Sequence, residues 1–393
     1  MEAASLFIYD PNEMKYRFHD DHPFNQKRLD LTTDLLRHTG ALSTSDTQKP
    51  KQADEEELLL NHTREYIDAV KKLSRSSEQS PDYELADKFG LHTDDTPFFP
   101  GMHEITSYVV GGSLIAAHAV MQGKTKRALH LAGGLHHAMP NKGAGFCVYN
   151  DASIAIAAIR KTYKARVLYV DTDVHHGDGV QWSFYTDSDV CTFSIHETGR
   201  YLFPGTGGVQ ERGDHQGFGW SINLPLEPYT EDESWLASFT EVFERVLSAF
   251  KPDVIVSQHG CDAHAFDPLA HIHCSMNIYL HIPRIIREAA DRWCGGRWIA
   301  LGGGGYDIWR VVPRAWSLLW LEMIRHPLPD LLRSDPRTRL PETWLERWRR
   351  ESPVPLPLYW LDPADEWEPM PRRKEITLRN KVITELAMIY LPT

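Results

Sequence analysis

The chain has 393 residues, 42% of them hydrophobic, and carries 42 Lys plus Arg against 54 Asp plus Glu for a net charge of −12. This length and composition fit one large α/β domain or two smaller ones around a real core. The acidic balance argues against sustained nucleic-acid binding, which needs a basic face, and no stretch approaches the ~20 uninterrupted apolar residues of a membrane helix.

The N-terminal MEAASLFIYDPNE lacks the basic start, long apolar run and cleavage site of a signal peptide. The five cysteines (147, 191, 261, 274 and 294) are scattered and form no C-x-x-C pair. Both features predict a cytoplasmic protein with buried reduced thiols, without disulfides or a cysteine zinc site. Residues 44–57 are polar and read as a surface loop. Residues 94–101 (DDTPFFPG) read as another, because two prolines exclude regular structure. The apolar run 128–132 is the first predicted buried strand. A helix follows over 152–161, with Asn150 or Asp151 placed to cap it. Strands are expected at 166–170 and 192–195, a helix at 232–250, a strand at 254–257, a helix at 282–293 with Pro283 in its first turn, and a strand at 298–301. This alternation predicts an α/β fold with a mostly parallel sheet. Beyond Arg325, Pro, Arg and Trp become frequent, and 375–391 looks helical. The expected division is a domain over 1–325 and an extension over 326–393 packed on it.

Chemistry collects where the strands end. The run 128–132 leads into Gly133-Gly134-Leu135-His136-His137, and 166–170 leads into Asp171-Thr172-Asp173-Val174-His175-His176-Gly177-Asp178. The run 254–257 leads into Gln258-His259-Gly260-Cys261-Asp262, and 298–301 leads into Gly302–Gly305 and Tyr306. In parallel sheets the ligand site lies beyond the carboxyl ends of the strands. Residues two apart on an extended segment point the same way, so Asp173 and His175 can share a metal, with Asp262 as a third ligand from another strand end. Three protein ligands and one open position are the pattern of catalytic zinc. The oxygen-rich set also admits iron(II), cobalt or manganese. Asp171 and Asp178 can each orient one imidazole. His137 with Asp178 would serve as general base and acid, and His136 with Asp171 as electrostatic support or second acid, although spacing alone does not say which histidine does which. Tyr306 can donate to a developing oxyanion. The glycine run is not a phosphate loop, because no Lys-Ser/Thr follows it.

At these residues the chain resembles the zinc-dependent histone deacetylase superfamily on the arginase/deacetylase fold, a single large domain with helices on both faces of a parallel sheet. The matching pieces are GGLHHA (133–138), GAGFCVYND (143–151), VDTDVHHGDGV (170–180), FSIH and FPGTG (193–196 and 203–207), HGCDAHAFDPL (259–269) and LGGGGY (301–306). With its Pro/Trp-rich tail, the pattern is most similar to the bacterial acetoin-utilisation deacetylases. The resemblance implies one zinc on Asp173, His175 and Asp262, His136 and His137 as the paired histidines, and Tyr306 as the carbonyl-polarising phenol. It implies a lysine tunnel walled by Phe146 and Phe203, with Leu269 at its mouth, Gly145 and Gly304 against the substrate, and Asp95 at the rim. It also implies Arg28 beside an internal product channel and a structural potassium on Asp171, Asp173, His175, Ser194 and Ile195. The implied substrate is acetyl-lysine in a protein, such as a metabolic acyl-CoA synthetase. One departure stands out: Glu197-Thr198 follows the His where eukaryotic members often carry Lys-Tyr, so a histone tail is not the implied substrate. Rival readings are a deacetylase of acetylated polyamines or other small amides, a two-manganese ureohydrolase on the same fold, and a non-enzymatic acetyl-lysine binder. The ureohydrolase reading meets Gly177 where its second ligand Asp would stand. Sequence leaves the oligomeric state open.

Overall fold

In the apolar runs 167–170, 254–256 and 298–301, alternate residues belong to two different cores. Leu168 and Val170 join Leu129, Phe193, Ile255 and Ala300 in one, while Val167 and Tyr169 join Ala128, Val254, Val256 and Ile299 in the other. Successive side chains of a strand face opposite ways, so a run apolar at every position needs cover on both faces. Helices Met102–Met121 and Asp151–Tyr163 cover one face through Ala116, Val120, Ala155, Ile156 and Ile159. Helices Lys27–His38, Asp232–Phe250, Met276–Trp293 and Val312–Met323 contribute to the core on the other.

The computed structural model describes residues 5–43, 47–75, 82–389 and 391. The first four residues of the N-terminal reading, 44–46 of the predicted loop and 390 of the predicted last helix lie outside them. The strands are β1 (Leu6–Ile8), β2 (Thr47–Gln48), β3 (Arg127–His130), β4 (Val167–Asp171), β5 (Val190–Glu197), β6 (Ser221–Leu226), β7 (Val254–Gln258) and β8 (Trp298–Leu301). They form one sheet in the order β2-β1-β3-β8-β7-β4-β5-β6, and every pairing is parallel. The α/β class and the five expected strands are therefore observed. The missed strands sit toward the sheet margins. Pro225 within SINLPL hides β6, and proline is tolerated there because β6 is an edge strand. β1 and β2 are too short for a pattern, and β2 falls inside the segment read as loop.

One helix is corrected. It starts at Met276, not at 282, with Ser275 Oγ accepting from Asn277 N at 3.1 Å, so Pro283 lies inside it. Among the described residues, helix Met102–Met121 alone is long and apolar enough to cross a membrane, yet its apolar side chains are in the core and it packs on Asp151–Tyr163 and β3.

The residues after 325 fold back over this core. Trp348 Nε1 and Arg347 reach Asp34 at 2.8 and 2.6 Å, and helix Arg373–Ile389 lies on Asp232–Phe250 and on edge strand β6. Asp362 accepts from the buried Arg314 guanidinium (3.0 Å), from His264 Nε2 (2.9 Å) and from Met276 N (2.8 Å). Removing one partner of a buried ion pair strands the other charge and costs about 3–5 kcal/mol. Asp362→Ala is therefore expected to lower the urea midpoint of unfolding by that equivalent; an unchanged midpoint would show the pair to be dispensable.

Candidate active site

The four strand ends singled out in the sequence belong to four consecutive strands, β3-β8-β7-β4, at the middle of the sheet. Asp173 and His175 follow β4 and Asp262 follows β7, and one donor atom from each lies within 4.8 Å of the others. His175 Nδ1 faces Asp173 Oδ1 at 3.2 Å and Asp262 Oδ2 at 3.1 Å, and all three residues are buried. Each carboxylate is held. Gln258 Nε2 and Gly304 N both donate to Asp173 Oδ2 at 2.8 Å, and Val174 N donates to Asp262 Oδ1 at 2.9 Å. A Cβ on Gly260 would lie 2.1 Å from Asp173 Oδ2, and one on Gly304 would lie 2.1 Å from Asp262 Oδ2, so only glycine lets the two loops close over the ligands. Burial and the facing Asp173 charge push the Asp262 carboxyl up to about 6; a cation between the two carboxylates removes that conflict. The donor set therefore fits one zinc ion with a further position for water. A Cβ at Gly177 would meet Asp171 Oδ2 at 2.1 Å, which leaves no room for the extra carboxylate of a two-metal ureohydrolase site.

The histidine pair stands beside this group. His136 Nδ1 bonds Asp171 Oδ2 at 2.8 Å, His137 Nδ1 bonds Asp178 Oδ1 at 2.7 Å, and the two rings are 4.0 Å apart. An ionised carboxylate only accepts, so Nδ1 carries the proton in each ring and Nε2 is left for chemistry. His136 Nε2 lies 3.9 Å from Asp173 Oδ2. Burial opposes charge on both rings. At His136 the charges of Asp171 and Asp173 outweigh burial and push the pKa up to about 9. At His137 burial and the neighbouring His136 prevail over Asp178 and push it down to about 4. Asp171 also accepts from Tyr169 OH at 2.8 Å and from Asp173 N at 3.1 Å, so one carboxylate orients both a histidine and the ligand run. Ser194, opposite Asp171 across the β4–β5 ladder, and Ile195 are buried alongside.

Tyr306 ends the glycine loop with its ring edge-on to Phe146, centroids 5.5 Å apart at 79°. Phe203, 42% exposed, packs edge-on against His137 at 5.0 Å. Gly145 lies between His137 and Phe203: its φ is +52°, and a Cβ there would come within 2.9 Å of both rings. Leu269 is half-buried, with its N–H on Asp267 Oδ1. The Asp95 loop leans on the same wall. Thr96 Oγ1 accepts from Phe146 N at 3.0 Å, and His22, 4.7 Å from the Phe146 ring, bonds the Asp95 carbonyl; Asp95 itself is exposed. Arg28 is buried behind the site, donating to Gly305 O at 3.1 Å and lying over the Phe24 and Trp316 rings.

Three supporting residues escaped the sequence reading. Asp151 was a candidate cap, but Asn150 caps the helix, and Asp151 instead accepts from Gly134 N and Leu135 N, fixing the loop that carries the histidines. Gln258 and Asp267 lie within the quoted runs. Gln258 orients Asp173, and Asp267 Oδ2 accepts from Tyr306 N at 2.8 Å. Their signal was position alone, since each lies within five residues of Asp262.

A parallel sheet with a buried Asp-His-Asp group and two Asp-His dyads at its carboxyl edge is an arrangement that suits a metal-dependent hydrolase. Residues 22–323 match the histone deacetylase domain. The acetoin utilization protein AcuC of Bacillus subtilis (strain 168) is 51% identical over 96% of this chain and 94% of its own length. AcuC of Staphylococcus aureus (strain MSSA476) is 44% identical over 96% and 95%. Among solved structures, a histone deacetylase homologue complexed with SAHA superposes with a TM-score of 0.83 at 28% identity over 98% of this chain and all of that one. A homologue from Aquifex aeolicus gives 0.77 at 26% over 96% and 100%. The chain thus belongs to the histone deacetylase family and is a deacetylase hydrolase, in a family that depends on zinc.

Proposed function

We propose that the protein hydrolyses the acetamide of acetyl-lysine in a protein substrate, releasing acetate and the free amine, in the cytoplasm of its host. The observation that carries this reading is the Asp173-His175-Asp262 group flanked by the His136–Asp171 and His137–Asp178 dyads, with Tyr306 at the end of the adjoining glycine loop. Asp173, His175 and Asp262 would hold zinc. When bound, that ion supplies Lewis-acid polarisation of a carbonyl and lowers the pKa of water. His137, neutral and fixed by Asp178, takes the proton of the attacking water at Nε2. Tyr306 donates to the oxyanion that develops on the carbonyl oxygen. A protonated imidazole then returns a proton to the leaving nitrogen, because an amide anion is too basic to depart. Phe146, Gly145 and Phe203 wall the lysine stem, Leu269 lies at the mouth, Gly304 sits beneath the acetyl group, Asp95 holds the substrate backbone at the rim, and Arg28 lines the path by which acetate leaves. Asp171, Asp173, His175, Ser194 and Ile195 would hold a structural potassium ion. Residues 1–325 form the catalytic domain, and 326–393 form the extension on it. A metabolic acyl-CoA synthetase would be one such protein substrate.

The test is hydrolysis of a fluorogenic acetyl-lysine peptide and of acetylputrescine, each with and without a hydroxamate chelator. Turnover of the peptide that the chelator abolishes is the expected result. Turnover of acetylputrescine alone would transfer the assignment to polyamines.

A further inference from the structure

Both segments that carry Phe203 and Leu269 also contribute a residue to one groove. Two residues before Phe203 lies Tyr201, and two residues after Leu269 lies His271. Together with Tyr229 they form one side of a cavity of about 680 Å³, and Met370, Pro371 and Ile376 from the C-terminal extension form the other. That volume is in the range of built ligand sites. Tyr201 is 62% exposed and Tyr229 48%. Large aromatics left in water as a group mark a contact surface, and Phe203, two residues from Tyr201, is exposed as well.

The groove is fixed in shape. Glu197, with its side chain fully buried, accepts from His271 N and bonds His271 Nδ1, both at 2.8 Å. Tyr229 N donates to the His271 carbonyl at 2.8 Å, and Asn380 Oδ1 accepts from Glu227 N at 2.9 Å, tying the extension to the rim. Glu197 thus spends its charge on holding the rim, which gives a structural role to the position where the chain departs from the Lys-Tyr pair. The groove carboxylates are also engaged. Glu227 meets Arg200 at 2.9 Å and Arg379 at 3.4 Å, and Glu375 meets Arg372 and Arg379. Both carboxylates that line the groove already face guanidinium, while its aromatic and apolar walls suit amide backbone and uncharged side chains.

We infer that this groove receives the extended polypeptide on one side of the acetylated lysine, so the enzyme selects a protein segment over a small amide. The inference rests on the deacetylase reading above and names its substrate class. It also gives the C-terminal extension a part in recognition, and the groove's lining begins two residues from Phe203 and two residues from Leu269.

The experiment compares two substrates on the full-length zinc enzyme: acetyl-lysine within a peptide flanked on both sides, and acetyl-lysine blocked as a single-residue amide. The variants are Tyr201→Ala and Ile376→Asp, one on each wall. For the peptide, KM is expected to rise about 10-fold with kcat unchanged, because the lost contact is uniform binding, and the single-residue amide should be unaffected. The same change on both substrates, or on neither, would overturn the groove while leaving the deacetylase assignment intact. Wild-type enzyme that hydrolyses acetylputrescine as efficiently as the peptide would also overturn it. No turnover of any acetamide by the wild type would remove both readings.

Discussion

Asp262→Asn is expected to leave the protein folded and without zinc. Asn keeps the size of the side chain and an Oδ1 that accepts from Val174 N, a contact of 2.9 Å in the present site. It replaces the oxygen that faces His175 Nδ1 at 3.1 Å with an amide NH2, which is a donor pointed at the place a cation would occupy. The site keeps one carboxylate of two. Residues that merely orient a ligand already cost about 10–100-fold in metal affinity when lost, and a direct ligand costs more. Elemental analysis should find one zinc per wild-type chain and almost none in the variant. Activity on the acetyl-lysine peptide should fall below detection. Thermal unfolding separates metal loss from misfolding. Added zinc stabilises the wild type by mass action and should not move the variant, whose metal-free transition should match that of metal-free wild type or exceed it, since a buried like-charge conflict is relieved. A variant that retained one tightly bound zinc would remove Asp262 from the ligand set. Two zinc or manganese ions per wild-type chain would contradict the space argument at Gly177.

The sequence was legible where local pattern and global fold agree. Strands buried on both faces leave uninterrupted apolar runs, and chemistry placed at their ends is adjacent in sequence to those runs; His136, His137, Asp173, His175, Asp262 and Tyr306 could be read for that reason. The spatial order β3-β8-β7-β4 could not be read, because it depends on crossovers that leave no local trace. Edge strands were lost for the opposite reason: β6 tolerates Pro225 and alternates polar with apolar residues, so it lacks the signature of a central strand. The helix start at Met276 was missed because Pro283 suggested a first turn. The structure instead accepts a proline inside the helix, where the Tyr279 carbonyl loses its usual donor. Asp151 shows the limit most clearly. A carboxylate at a helix start reads as a cap, and nothing local says that Asn150 takes that task and frees Asp151 to hold Gly134 and Leu135. Supporting residues act across long sequence separations, so they become visible only once the strand ends are brought together.

Tyr306→Phe is expected to lower kcat about 100- to 1000-fold, the usual consequence of losing one oxyanion donor, ~2.7–4 kcal/mol of barrier. The substitution removes one oxygen and leaves the rest of the site's geometry in place. The ring should keep its edge-on contact with Phe146, and the backbone N–H its bond to Asp267 Oδ2 at 2.8 Å. Gly304 N should still donate to Asp173 Oδ2, so the ligand cradle beneath it should survive and zinc content should not change. Burial, then the charges of Asp262 and Asp173, push the phenol pKa well above its ordinary value of 10. Tyr306 therefore stays protonated across the working pH range and acts as a donor, never as a base. A donor that bonds the oxyanion far better than the neutral carbonyl acts on the transition state alone, so the loss should fall in kcat with KM nearly constant. The measurement is steady-state kinetics on the acetyl-lysine peptide, with zinc content and unfolding midpoint recorded on the same preparations. A large fall in kcat at unchanged zinc and stability would assign the phenol to the chemical step. If KM rises while kcat holds, the hydroxyl serves substrate binding. If the variant keeps wild-type activity, the oxyanion must be stabilised without it, and the assignment of Tyr306 as the oxyanion donor is wrong.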